Sequence, residues 1–434
     1  MNKKMFSIAV LSAAVIWGGN LCFTKTLNVN EQLFDALKKG AKLKEIKALI
    51  KKGADLKAKT KKYGASLIHL AALGGNIDVV KYLVEEKGAD VNAKNKYGWQ
   101  PIHDAAEEGK LDIVKYLVEE KKADVKAKTK SVWQPIHSAS KYGHLPVVKY
   151  LVEKGADKNA KTKSGWQPIH IAAEGGKLDI VKYLVEEKKA DVNAENKNGW
   201  QPIHSASSFG HLPVVEFLVS KKLNVFKSKT KDGWQPIHAA SEGGHLPVVK
   251  FLVSQGANIN AKDNEGYQPI HGASEGGCLP VIKFLVSQGA NINAKDNIGF
   301  QPIHSAALGG ELDVVKYLVE EKGVDINTGY KPKEKKKGLW FPINDAVASG
   351  NLALVKYLLG KGAKKNAQDG EGDTLIGCAG YDGFPELAKY LLTKGADVTI
   401  KNDKGQDALG YAKEGLKKAE KQLEQAKKEK MKIK

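Results

Sequence analysis

Eight of the eleven histidines in this 434-residue chain recur in a single short motif. His103, His137, His170, His204, His238, His271 and His304 each close Gln-Pro-Ile-His, and His69 closes the variant Leu-Ile-His. Imidazole titrates near neutrality and ligates metals through either nitrogen, so a periodic set is a candidate metal centre or proton relay. A second column runs beside it. The residue before each Gln-Pro is Trp99, Trp133, Trp166, Trp200, Trp234, Tyr267 or Phe300, and Trp340 holds the same register further on. Such rings dominate binding interfaces when they are presented to a partner.

The interval between the histidines limits what they can do. Successive gaps are 34, 34, 33, 34, 34, 33 and 33 residues. A period this regular marks one supersecondary unit copied in tandem, which predicts a solenoid stabilised by contacts between neighbouring units. Packed helical layers repeat at about 10 Å, whereas zinc ligands lie about 2 Å from the ion. Adjacent copies therefore cannot share a metal, and the eight histidines are expected to be structural. His144, His211 and His245, each following a glycine at a turn, are read the same way. Of the three cysteines, Cys278 and Cys378 stand three units apart, roughly 30 Å by the same layer spacing, and Cys22 lies near the N-terminus, so no disulfide framework is expected. Cys-x-x-Cys, His-Glu-x-x-His and a phosphate-binding Gly-rich loop do not occur. Glu119 and Glu120 fall at a helix end, where a solvated face is the default reading. No enzymatic activity and no cofactor are expected.

One unit shows how the elements are specified. In Gly98–Ala106 the proline enters the first turn of a short helix, where its missing amide costs nothing, and Gly109 ends that helix. Leu111, Val114, Leu117 and Val118 then share one face of a second helix. Ala123–Ala127 and the Lys/Asn/Gly residues beyond read as a turn into the next unit. Several units carry one extra residue, as in Val118–Lys122, to be accommodated at the end of the second helix. Gln is a weak helix cap, which predicts fraying where it precedes Pro-Ile-His.

With Pro-Ile-His-x-Ala at this period, Gly-Ala-Asp-Val-Asn-Ala at Gly88–Ala93 and Gly-His-Leu at Gly143–Leu145, the chain resembles the ankyrin-repeat family. Phe34, Asn344, Gly377 and Gly410 stand where the histidine belongs, giving about twelve units over 31–415. The resemblance implies an all-α solenoid of helix–turn–helix units with projecting, hairpin-like turns. It also implies that the histidine pegs backbone segments together. The position before Gln-Pro is hypervariable in such proteins and lies on the concave face, where it often touches partners.

All 69 basic residues are lysine, and the formal net charge is +20. The charge sits at the edges of the array: +3 over 1–30, +7 over 31–62, +4 over 329–338 and +5 over 411–434. Segment 31–62 reads as a capping unit, 328–338 as a basic insertion carrying Lys331, Lys333, Lys335, Lys336 and Lys337, and 416–434 as a Lys/Glu-rich terminal helix or tail. These lysines solubilise the ends or make weak contact with an anionic surface. Nucleic-acid recognition is disfavoured by the absence of arginine, the usual bidentate reader. Lys3 and Lys4 followed by the apolar run Met5–Trp17 resemble a signal peptide over 1–24, too short to span a bilayer, and predict export to the periplasm or beyond.

The expected function is non-catalytic. A monomeric scaffold, read as bacterial and host-directed by analogy, is expected to bind a protein partner through its concave face, with the eight aromatic residues as contacts. Two other readings of the aromatic column stay open: glycan or envelope binding by stacking, and simple packing or copying of one residue by duplication.

Overall fold

The computed structural model describes residues 28–221, 225–331 and 338–415. The expected signal segment 1–24 with Cys22, the lysines at 333 and 335–337, and the tail 416–434 lie outside the described residues.

Each unit is a pair of antiparallel helices. In the unit read above, an inner helix runs Pro101–Glu107 and an outer one Leu111–Lys115. Pro101 takes the first helical position, and Gly109, at φ 68, makes the left-handed reversal that only glycine adopts freely. Eleven such pairs are described, from Val29–Lys38 with Leu43–Lys51 to Leu375–Tyr381 with Pro385–Thr393, and a further helical stretch covers 408–415. No β-strand occurs among the described residues; two isolated bridges, Tyr330 to Trp340 and Gln368 to Thr374, brace turns. No described helix is long and apolar enough to cross a membrane.

Inner helices pack on the inner helices of adjacent units and outer helices on outer ones, with no close packing between units further apart among the described residues. Ile102, Ala105 and Ala106 of the inner helix are fully buried, as are Ile113, Val114 and Leu117 of the outer one. Burying one such isoleucine contributes about 1.5–3 kcal/mol, and the small alanines let neighbouring inner helices approach. The outer helix buries a broader face than its heptad-like pattern indicates: Ile113 and Tyr116 are buried, whereas Leu111 and Val118 are only partly so. A helix touched from both sides along the stack must cover two neighbours, which widens its apolar stripe.

In four of the described units the extra residue is absorbed as a π turn. Tyr82–Glu86, Tyr116–Glu120, Tyr183–Glu187 and Tyr317–Glu321 all adopt it, and all read Tyr-Leu-Val-Glu-Glu. Units without the insertion run as a plain α-helix, as over Leu145–Glu153 and Leu246–Ser254. One added residue in an α-helix is most cheaply housed as such a bulge. The wider turn carries glutamates that reach the next unit. Glu85 accepts a hydrogen bond from the Tyr116 hydroxyl at 2.9 Å and pairs with Lys121 at 3.1 Å, and Glu119 pairs with Lys154 at 3.0 Å.

Among the described residues Cys278 and Cys378 form no disulfide.

Candidate functional site

The histidines are used at both ring nitrogens. In the repeat beginning at Gln100, the Gln100 amide donates to Nδ1 of His103 at 3.2 Å, and Nε2 of His103 donates to the carbonyls of Ala127 at 3.1 Å and Trp133 at 3.3 Å in the next unit. The same arrangement joins His170 to Trp200, His204 to Trp234, and His271 to Ala294 and Phe300. An Nδ1 that accepts an amide hydrogen places the proton on Nε2, so each ring is a neutral, single tautomer. Burial lowers the imidazole of His103, His137, His170, His204 and His304 to about 4, against a weaker opposing pull from the carbonyls they serve. His69, His238 and His271 are lowered for the same reason.

This geometry corrects the expectation of frayed caps. The glutamine side chain makes no cap bond, but histidine three residues later ties down the glutamine amide, and each helix starts cleanly at proline. The three turn histidines fasten a different seam. Nε2 of His144, His211 and His245 donates to the carbonyls of Glu107, Glu174 and Ser208 in the preceding unit, at 2.7, 2.9 and 3.0 Å. Among the described residues no three His, Cys, Asp or Glu side chains are grouped to hold a metal.

The turns form their own ladder. The amides of Lys96, Lys130, Lys163, Lys197 and Lys231 each donate to the preceding turn, at Tyr63, Tyr97, Ser131, Ser164 and Asn198. Glycine occupies the left-handed position before the aromatic residue in most units, at Gly98, Gly165, Gly199, Gly233, Gly266 and Gly299, but Val132 holds it at φ 61.

The aromatic residues share one structural place. Trp99, Trp133, Trp166, Trp200, Trp234 and Tyr267 are half-buried, each with its ring against the histidine of its own unit at centroid distances between 4.8 and 6.0 Å. One flank of each ring is therefore committed to the stack, and the remainder faces out. Two indoles are further fixed: Nε1 of Trp133 donates to Ser138 at 2.9 Å, and that of Trp234 to Asp263 of the next unit at 3.1 Å. Phe300 leaves the exposed column. It is 8% exposed because the Tyr330 ring closes edge-on over it at 4.8 Å. Trp340 pairs across the turn with Tyr330, 6.4 Å between ring centres.

A third column was not singled out from the sequence. Tyr267 lies along its inner helix, and its hydroxyl donates to Glu275 at 2.9 Å. The offset of eight residues repeats as Trp99 to Glu107, Trp166 to Glu174 and Trp234 to Glu242. Tyr142 and Phe209, 43% and 46% exposed, extend the same surface. Burial raises the carboxyls of Glu107 and Glu174, and that of Asp104 rises well above the usual carboxylate range. The constant offset was the available signal, and it becomes meaningful once the inner helix is known to face outward at that point.

A family model described as ankyrin repeats (3 copies) matches residues 33–129, 95–162, 136–228, 188–263, 223–296, 262–330 and 343–429. No curated protein matches the chain.

Proposed function

Taking as premise that the chain belongs to the ankyrin-repeat family, whose arrays generally serve as protein–protein interaction modules, we propose that it is a non-catalytic scaffold that docks a partner protein on its aromatic column. The supporting observation is the half-burial of six successive rings, each pinned by a histidine. A pinned ring has little rotamer freedom left to lose, so a contact made on its free flank costs less to order. The six-unit run from Trp99 to Tyr267 gives an elongated surface of the kind that solenoids offer to partners.

The described surface supports no catalytic reading. Its polar groups are spread along a column, and the buried imidazoles have both nitrogens occupied by backbone. Export belongs to the same proposal and rests on Lys3, Lys4 and the apolar run after them; fractionation of cells expressing the full chain tests it.

The docking proposal is tested with Trp166→Ala, Trp200→Ala and Trp234→Ala combined. The variant is expected to lose saturable binding to a partner identified with the parent chain while keeping its helical circular dichroism. A variant that melts earlier yet binds as before would return the indoles to a purely packing role. Saturable binding of isolated envelope polysaccharide, lost in the same variant, would move the surface to glycan recognition.

A further inference from the structure

The charge beside the aromatic column has the opposite sign to the chain. The protein carries +20 overall, and its outer helices present lysines that flank aromatic rings, as Lys81 and Lys121 do Tyr116. At the exposed end of the inner helices the pattern reverses. Glu107, Glu108, Glu174, Glu242 and Glu275 occupy that end between residues 104 and 275, with Lys141 the single lysine among the equivalent positions. Tyr267 shows that ring and carboxylate are in contact there. Asp104 lies near Glu107 and Glu108 as a buried carboxyl whose Oδ2 has no hydrogen-bond partner.

We infer that the occupant of this surface is a basic segment of a partner protein, with lysine or arginine side chains lying over the indoles and against the glutamates. The inference rests on the docking proposal above and adds the chemistry of the partner. Aromatic faces attract cations through their quadrupole, and partly desolvated carboxylates favour a cation that neutralises them. The opposite wall sets the orientation. The turns there bear Lys96, Lys130, Lys163, Lys197 and Lys231, and Lys96 spends its ammonium on the Lys61 carbonyl at 2.8 Å. Over these five turns a cationic edge is thereby steered toward the inner helices, whereas Asp263, which accepts from the Trp234 indole, marks where the turns cease to be cationic. Complementarity of this kind selects partners more than it adds affinity.

The test uses the full chain and two synthetic peptides, one with lysine and one with glutamate at every third position of an alanine host. Binding is read by tryptophan fluorescence in about 0.15 M salt, where the net charge is screened beyond about 8 Å. The lysine peptide is expected to bind saturably. Affinity should fall at least tenfold when Glu107, Glu174, Glu242 and Glu275 are all changed to Gln, and remain unchanged for Glu86→Gln with Glu187→Gln on the outer helices. Unchanged melting of the fourfold variant would confirm that it folds. Tighter binding of the glutamate peptide, or a lysine peptide indifferent to the fourfold change, would overturn the inference. If the triple tryptophan variant loses its partner while the fourfold variant keeps it, the docking proposal stands and the basic partner falls.

Discussion

Acid should unfold this array through its histidines, and the size of the effect follows from their burial. Five imidazoles are lowered from 6.5 to about 4 in the fold. Between those values the unfolded chain binds protons that the folded chain refuses. Stability is therefore full above pH 6.5 and is lost as pH falls toward 4. At pH 5 each histidine forfeits about 2 kcal/mol, being 1.5 pH units at about 1.4 kcal/mol per unit. Five acting together would cost about 10 kcal/mol, comparable to the whole stability of a typical domain. The carboxyls of Asp104, Asp345, Glu107 and Glu174 act in the opposite sense, because burial raises them and the fold takes up their protons. Paired surface glutamates such as Glu85 and Glu119 are lowered and lose their contribution only below the ordinary carboxylate range. The assay is urea unfolding by circular dichroism at pH 7, 6 and 5. A midpoint that is level above pH 6.5 and falls steadily below it is expected, and His204→Asn should flatten the slope by one proton, about 1.4 kcal/mol per pH unit. A midpoint constant from pH 7 to 5 would refute the claim that these rings are buried and neutral.

Three substitutions test the local geometry by thermal or urea unfolding. Val132→Gly should stabilise by about 1 kcal/mol, since a β-branched residue in the left-handed region costs about 1–2 kcal/mol and glycine returns part of that as chain entropy. Gly309→Ala should destabilise by about 1–3 kcal/mol, because its new Cβ would fall 2.2 Å from the Glu275 carbonyl of the preceding unit. Ile203→Ala, at a fully buried position, should cost about 2–5 kcal/mol.

The fold was legible because the period is set by one motif with few substitutions; spacing excluded a shared metal at His103 or His204, and their pegging role was implied by the resemblance to the ankyrin-repeat family. Other features depend on neighbours that a single unit does not display. The burial of Phe300 requires Tyr330, thirty residues on, to close over it. The clean helix starts depend on His103 reaching back to the Gln100 amide, which outweighs the poor capping side chain. The extra residue of the Tyr-Leu-Val-Glu-Glu units could be placed near the helix end, but its form as a π turn follows from keeping Leu117 packed while Glu119 and Glu120 remain outside. The glutamate column was hidden by composition, since acids scattered through a lysine-rich chain look like ordinary solvated charge.

The seams between units have a consequence for how this gene can change. Every join from His69 to Phe300 uses the same connector, an imidazole on one side and a loop carbonyl on the other. At this connector, one cassette of 33 or 34 residues can therefore abut another without a new fitting. Recombination between near-identical copies would lengthen or shorten the molecule in whole steps, leaving each surviving junction intact.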